Sequence, residues 1–198
     1  MTTARPVPDI DLSKVKVLPL IKPVSLRDFS CGEREIDRSI SKCCGWNEDH
    51  RAKTFCAFLD DRPKAVGFYT LSISNSNADY LHPDITRGAL GEIPFMYINY
   101  LAVQTDKQGG GIGEKLLTHA LDGCMVVAQN VGGFGVALHA LTERAENLYY
   151  RYGFRSVDGK KYPFMILPIK ALLDLADLKA QQRAAQAIGA GLLGLSLS

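Results

Sequence analysis

The stretch Leu101-Ala-Val-Gln-Thr-Asp-Lys-Gln108-Gly-Gly-Gly-Ile-Gly113-Glu-Lys-Leu-Leu117 decides the reading of this chain. It closes an aromatic and β-branched run over residues 96–103 (MYINYLAV) that reads as a strand. It then crosses a polar turn, residues 104–110, and opens an amphipathic pattern that reads as a helix over about 111–129. A strand that passes through glycines into a helix is built to receive an anion. The first N–H groups of the helix lack partners, the macrodipole adds partial positive charge, and the missing side chains let phosphates approach. Two nucleotide signatures fail on their residues. A P-loop needs Lys and then Ser or Thr after its second glycine, and Gly113 is followed by Glu114. A dinucleotide fingerprint starting at Gly111 needs a small residue at 116, where Leu116 stands. From these residues alone, the turn is either a cradle for another anion or a glycine-rich end to a strand.

Downstream, residues 134–140 (FGVALHA) read as a strand. Thr142 is placed to cap a helix running to Tyr152, and Gly153 punctuates its end. Residues 164–169 form a last strand, and 172–187 a helix by their Leu and Ala content. Upstream, 15–20 alternate as a first strand, and Ile36, Ile40 and Cys43/Cys44 recur at helical spacing from Glu33 onward. Residues 54–59 and 65–73 form a strand pair around a turn at 60–63, with a polar loop at 74–79 and a short helix near 83–89, before Pro94. Strands and helices mixed in this order predict one α/β (α+β) layered domain over 14–170. A flexible lead (1–13) and a C-terminal helix and tail (171–198) flank it.

Composition excludes more than it assigns. The 198 residues carry 23 Lys+Arg against 21 Asp+Glu, with 46% hydrophobic and 22% charged residues, which excludes collagen, a disordered polymer and a coiled coil. A net charge of +2 gives no bulk nucleic-acid footprint. Cys31, Cys43, Cys44, Cys56 and Cys124 show no CxxC spacing, and His50, His82, His119 and His139 no HxH or HxxxH spacing, so no metal site is expected. The N-terminus lacks a signal-peptide core, and no run reaches the ~18 apolar residues of a membrane span, so a cytoplasmic protein with reduced thiols is expected.

Paired with a tyrosine motif on the later helix, the glycine stretch resembles the GNAT acetyltransferase superfamily. The motifs are Gln108-x-x-Gly111-x-Gly113 after the Leu101-Ala-Val strand, and Ala145-x-x-x-Tyr149-x-x-x-Gly153-Phe154 some thirty residues downstream. The resemblance implies a mixed, mostly antiparallel sheet flanked by helices, opening in a V at the glycine turn, with acetyl-CoA as acetyl donor. It implies that Gly109, Gly110, Gly111, Ile112 and Gly113 offer N–H groups to the pyrophosphate, that Gln108 braces the turn, and that Leu101, Ala102 and Val103 run beside the pantetheine. Thr142 stands where many relatives carry Asn and is a further CoA contact on the same ground. Of the neighbours Tyr149, Tyr150 and Tyr152, only Tyr149 lies four residues before the glycine, where the family's tyrosine meets the CoA sulfur. Its phenol would bind that sulfur and protonate the leaving thiolate as general acid. Residues 95–103 hold no Asp or Glu, although some relatives keep a carboxylate there. An α-amine of pKa about 7.7–8.0 is partly neutral at physiological pH, whereas a lysine at about 10.4 needs a strong base. The missing carboxylate therefore leans toward an α-amine acceptor, with Glu92 or a residue from elsewhere free to act as base.

A second resemblance covers about residues 15–170. Phe29-Ser-Cys-Gly32-(4)-Asp37, Thr54-Phe-Cys-Ala, Gly67-Phe-Tyr-Thr-Leu and Phe164-Met-Ile-Leu-Pro-Ile look like the branch of toxins in toxin–antitoxin pairs. That branch implies acetylation of the α-amine of aminoacyl-tRNA, a ribbon–helix–helix antitoxin partner and a homodimer. Residues 141–170 carry six cations against three carboxylates with tyrosines between them, the grammar of single-stranded RNA binding. Arg144, Arg151 and Tyr150 are the candidate acceptor contacts. Two other functions stay open at this point, acetylation of a small-molecule or protein amine, and CoA binding without turnover.

Overall fold

A computed structural model describes residues 7–181, excepting 22–25, 60–63, 79–80, 82–85, 87, 158–162, 175–176 and 179. Seven strands form one sheet: β1 (Val15–Pro19), β2 (Lys53–Leu59), β3 (Ala65–Asn77), β4 (Glu92–Val103), β5 (Gly135–His139), β6 (Arg155–Ser156) and β7 (Phe164–Pro168), in the order β1-β2-β3-β4-β5-β7-β6. Every pairing is antiparallel except β4–β5. Among the described residues, α1 (Arg34–Glu48), α2 (Ile112–Asn130) and α3 (Glu143–Arg151) flank the sheet, and 169–174 are also helical.

The helices form on one apolar stripe each. Ile112, Leu116, Leu117, Ala120, Leu121, Cys124 and Ala128 recur at three- and four-residue steps along α2 and are all buried. They pack on Met96, Ile98, Val136, Leu138 and Leu167 of the sheet, together with Tyr149 from α3. On the opposite face, α1 sets Ile36, Cys43 and Cys44 against Cys56, Phe68 and Ala102. Phe95, Ala137 and Ile166 continue that opposite face, as period-two alternation requires. Gly67 marks how closely α2 lies on β3. A Cβ there would stand 2.9 Å from both the Ala102 carbonyl oxygen and Leu116 Cδ1.

β4 changes its facing partway along. Thr70 pairs with Tyr100 and Leu71 with Ile98, so Asn99 is an extra residue with no β3 partner, a β-bulge. Ile98 therefore faces α2, and beyond the bulge so do Leu101 and Val103, while Tyr100 and Ala102 turn to the α1 side.

The glycine-turn strand, the helix after it and the α3 cap lie where the sequence predicts them. The polar loop expected at 74–79 is corrected. Ser74 to Asn77 extend β3, pairing with Phe95, Pro94, Ile93 and Glu92, and polar residues fit there because this end of the strand is half exposed. Pro94 consequently lies inside β4 and not before it. The short strand β6 carries no signal of its own. The last strand ends at Pro168, and residues 169–174 are already helical, ahead of the expected start at 172. The turn at 60–63 lies outside the described residues, as do most of the short helix expected near 83–89 and, of the helix expected to 187, residues 175–176, 179 and 182–187; 177–178 and 180–181 are helical. No described helix is long and apolar enough to cross a membrane.

Candidate active site

The site begins where β4 and β5 part. They pair at three rungs only: Met96 with Val136, Tyr97 with Ala137, and Ile98 with Leu138. β4 then runs on to Val103 with β3 alone beside it, and the bulge at Asn99 turns it away from β5. The gap holds a cavity of about 670 Å³ lined by Leu101, Ala102 and Val103 of β4, by the glycine turn and by α3. That volume suits a ligand of cofactor size.

The turn at one end of the cavity is held from three sides. Gln108 donates from Nε2 to the carbonyls of Cys31 (2.8 Å) and Val103 (3.1 Å). Thr105 donates to the Ser30 carbonyl from both its N–H and its hydroxyl, each at 2.9 Å. The loop that accepts these bonds is pinned by Asp37 on α1, whose carboxylate accepts from Ser30 Oγ (2.7 Å), Cys31 N (2.9 Å) and Cys31 Sγ (3.2 Å). Gly109 and Gly111 take left-handed φ angles of 95° and 84°, where a side chain would be strained. Gly111 caps α2 without any side-chain bond, so the first N–H groups of the helix are left for a ligand or water. Gly109, Gly111 and Gly113 line the cavity, whereas Ile112 is buried in the core and Gly110 faces the N-terminal segment. The lead expected over 1–13 is described from residue 7 onward, and there it packs on the outside of the turn.

α3 forms the neighbouring wall. Thr142 Oγ1 accepts from Ala145 N at 3.1 Å, so its hydroxyl caps the helix while the residue lines the cavity. Arg144, one residue into α3, brings Nη2 to 3.6 Å from where a Gly109 Cβ would stand, and makes no hydrogen bond or ion pair among the described residues. Tyr149 is 5% exposed, its ring 5.7 Å from that of Phe154. Its hydroxyl has no partner among the described residues, yet no described side-chain oxygen is both sealed and unpartnered. The hydroxyl therefore opens on the cavity that Tyr149 lines. Burial pushes this phenol well above the ordinary tyrosine range, so it keeps its proton. Arg151 also lines the cavity and stands 3.8 Å from Glu114. Tyr150 is not on the cavity wall; it is exposed and donates to Glu146 at 3.0 Å. Tyr152 is tied to Glu114 and Thr118, both at 3.1 Å. Of the six cations counted in 141–170, Lys160 and Lys161 lie outside the described residues.

The opposite wall went unnoticed in the sequence. Tyr97 Oη and His139 Nδ1 are 2.5 Å apart at the point of parting, backed by the Phe164 ring, 6.3 Å from Tyr97 and 5.1 Å from His139. Burial, with Tyr100 and Glu35 nearby, pushes Tyr97 up to about 12. Glu33 and Glu35 of the α1 side complete this wall. The only sequence signal for the pair was an aromatic at 97 and a histidine at the end of a strand. Glu92, the carboxylate considered as base, starts β4 opposite Asn77. At about 3.3 Å per residue it lies about 20 Å from the parting at Ile98. Cys31 also lines the cavity, but burial pushes its thiol up to about 12, which removes it as a thiolate nucleophile. All five cysteines are free, and no cluster of metal-ligating side chains occurs among the described residues.

This arrangement can hold a phosphorylated ligand at the turn, lead an extended chain along β4 and offer a phenol proton donor where the strands part. The comparisons agree with that chemistry. The family described as Acetyltransferase (GNAT) domain matches residues 50–156. The chain is also similar to the tRNA-acetylating toxin of Mycobacterium tuberculosis (strain ATCC 25618 / H37Rv), 31% identical over 128 residues, or 64% of this chain and 75% of that protein. Among solved structures, AtaT complexed with acetyl-methionyl-tRNAfMet has the same fold, with a TM-score of 0.69 at 22% identity over 81% of this chain and 98% of that one. So does a tyrosine-to-phenylalanine mutant of AtaT bound to the C-terminus of the antitoxin AtaR, with a TM-score of 0.67 at 22% identity over 82% and 98%. The chain belongs to the GNAT acetyltransferase family, whose acetyl donor is acetyl-CoA.

Proposed function

We propose that this GNAT acetyltransferase moves the acetyl group of acetyl-CoA onto the α-amine of aminoacyl-tRNA by direct attack of the amine on the thioester. The observation that carries the reading is the parting of β4 from β5, which joins an uncapped glycine-walled helix start and the open hydroxyl of Tyr149 in one cavity. The acceptor class is supported by the similarity to a tRNA-acetylating toxin and by the absence of a carboxylate on β4 near the parting. An α-amine reaches its neutral form near physiological pH without a strong base.

The roles follow from position. N–H groups of Gly109 to Gly113 receive the pyrophosphate, with Gln108 holding the turn from behind. The main chain of Leu101, Ala102 and Val103 runs along the pantetheine arm. Arg144, leaning over Gly109, adds a positive charge for the phosphates, and Thr142 keeps the start of α3 in place for it. The acceptor enters from the α1 face, past Tyr97, His139 and Glu35. Arg151 meets the acceptor at the cavity wall, and Tyr150 meets RNA outside it. The amine nitrogen forms a bond to the acetyl carbon as the carbon–sulfur bond breaks. The ammonium form gives one proton to water before attack; Tyr149 then donates its phenolic proton to the departing thiolate, and the nitrogen's one remaining extra proton returns, through water, to the phenolate. A phenol kept protonated by burial is suited to that donation.

The same reading gives the protein a ribbon–helix–helix antitoxin partner, a homodimeric state and a cytoplasmic location. The catalytic domain is residues 14–170, followed by a C-terminal helix and tail (171–198) whose first turn packs Leu172 into the main core. The test is transfer of labelled acetyl from acetyl-CoA to a mixed pool of charged and uncharged tRNA, with wild type and Tyr149→Phe side by side. Label on charged tRNA alone, reduced about 100-fold or more in the variant, is expected. Brisk acetylation of polyamines or protein amines with charged tRNA untouched overturns the acceptor. Acetyl-CoA binding without transfer to any amine overturns the enzyme.

A further inference from the structure

We infer that Ile10 and Leu12 are positioning residues for the acetyl-CoA turn: the N-terminal segment backs the glycines from outside and holds their N–H groups toward the ligand. This rests on the proposed role of the turn in binding acetyl-CoA. Gly110 is the decisive position. It has no positive φ, so its backbone does not demand glycine, and it is not among the residues lining the cavity. What excludes a side chain is Ile10. A Cβ on Gly110 would meet Ile10 Cδ1 at 2.6 Å, Cγ1 at 2.9 Å and Cβ at 3.2 Å. Rotation of the Ile10 side chain moves Cδ1 and Cγ1 aside but leaves its Cβ at 3.2 Å, so the segment itself must still give by a few tenths of an ångström. A Cβ on Gly111 would likewise meet Leu12 Cδ1 at 2.8 Å, and one on Gly109 would meet Val7 Cγ1 at 3.3 Å.

The segment is anchored well enough to serve as a wall. Lys115, in the first turn of α2, donates from Nζ to the Leu12 carbonyl at 2.6 Å. Asp11 accepts from both the N–H (3.0 Å) and the hydroxyl (2.6 Å) of Ser13, just before β1. Ile10 also packs against the main core. Three successive glycines have more conformational freedom than any other tripeptide, and a close-packed wall removes much of it before the ligand arrives. Smallness at position 110 therefore serves the fit to Ile10, while smallness at 109 and 111 also answers to their positive φ angles.

A rescue experiment separates this from the alternative, in which Gly110 is small for the ligand's sake. Wild type, Gly110→Ala, Ile10→Ala and the double variant are compared for acetyl-CoA affinity by calorimetry, for transfer kinetics and for thermal unfolding. Gly110→Ala is expected to weaken acetyl-CoA binding about tenfold through overpacking. Ile10→Ala alone is expected to weaken it about threefold by loosening the wall, and the double variant to match Ile10→Ala. In Ile10→Ala the rate constant at saturating acetyl-CoA and the KM for the acceptor stay within about twofold of wild type. A double variant that binds as poorly as Gly110→Ala overturns the inference, as does Gly110→Ala binding like wild type. If Gly110→Ala does not fold, wild-type affinity in Ile10→Ala overturns it instead. Wild type failing to bind acetyl-CoA removes the reading of the turn itself, a result distinct from binding without rescue.

Discussion

Removing the Asp37 carboxylate cuts the tie between α1 and the glycine turn, and the size of the effect follows from its bonds. Two acceptor interactions are short and charge-assisted, Ser30 Oγ at 2.7 Å and Cys31 N at 2.9 Å. A shielded bond of this kind contributes about 1.5–3 kcal/mol; because Asp37 is only partly covered, about 2 kcal/mol for the pair is the sounder figure. At about 2–4 °C per kcal/mol for a chain of this size, Asp37→Ala should unfold about 4–8 °C below wild type at pH 7. The pH dependence gives a second check. Burial works to raise the Asp37 pKa, but the bonds from Ser30, Cys31 and Gly32 outweigh it and hold it below the usual carboxylate value. A depressed folded-state pKa contributes stability that is complete above the unfolded value of about 3.9 and disappears as pH falls through the folded one. The difference between wild type and variant should thus be full at pH 7 and pH 5 and close only below the ordinary carboxylate range. Thermal melts across that range test it, with KM for acetyl-CoA measured at pH 7. The Ser30 and Cys31 carbonyls hold Thr105 and Gln108, so KM should rise about threefold or more. Equal melting temperatures at pH 7, or a difference unaffected by acid, would refute the reasoning.

Two other predictions bear on the chemistry. Arg144→Ala should raise KM for acetyl-CoA about tenfold through loss of a charge-assisted contact to phosphate, leaving KM for charged tRNA unchanged. A rise in the tRNA value alone would return Arg144 to the acceptor side. Because burial raises the Tyr149 pKa, transfer to an amide-linked aminoacyl-tRNA analogue should increase as the α-amine deprotonates near pH 8 and then stay level through pH 10. Single-turnover rates that fall between about pH 9 and 10, where an ordinary tyrosine begins to ionise, would count against Tyr149 as the donor.

What was legible in the sequence was local. The glycine turn, the four-residue interval from Tyr149 to Gly153 and the Thr142 cap are short-range patterns, and the residues that carry them fall on one cavity wall or its support. What escaped depends on register or on distant segments. The bulge at Asn99 exists only because Thr70 and Leu71 choose Tyr100 and Ile98 as partners, and nothing in MYINYLAV announces it. Tyr97 meets His139 through a parallel pairing across 42 residues of chain. Ser74 to Asn77 read as loop because a polar run resembles an irregular segment, whereas half-exposed strand ends accept polar residues freely. The motif Ser30-Cys-Gly32-(4)-Asp37 was visible as a pattern, and the structure supplies its reason: the aspartate fixes the loop that holds the turn.

The parting of β4 from β5 leaves an unfinished seam in the sheet, and on the proposed reading the ligand would take the place of the missing strand. Recognition along Leu101, Ala102 and Val103 would then be made by main chain, while their side chains answer to the core on either face. Substitution among apolar residues at these three positions should be tolerated by the ligand and judged only by packing. Amide hydrogens beyond Ile98 that would otherwise exchange readily with solvent deuterium would slow on binding, so the occupied enzyme carries a more continuous sheet than the empty one.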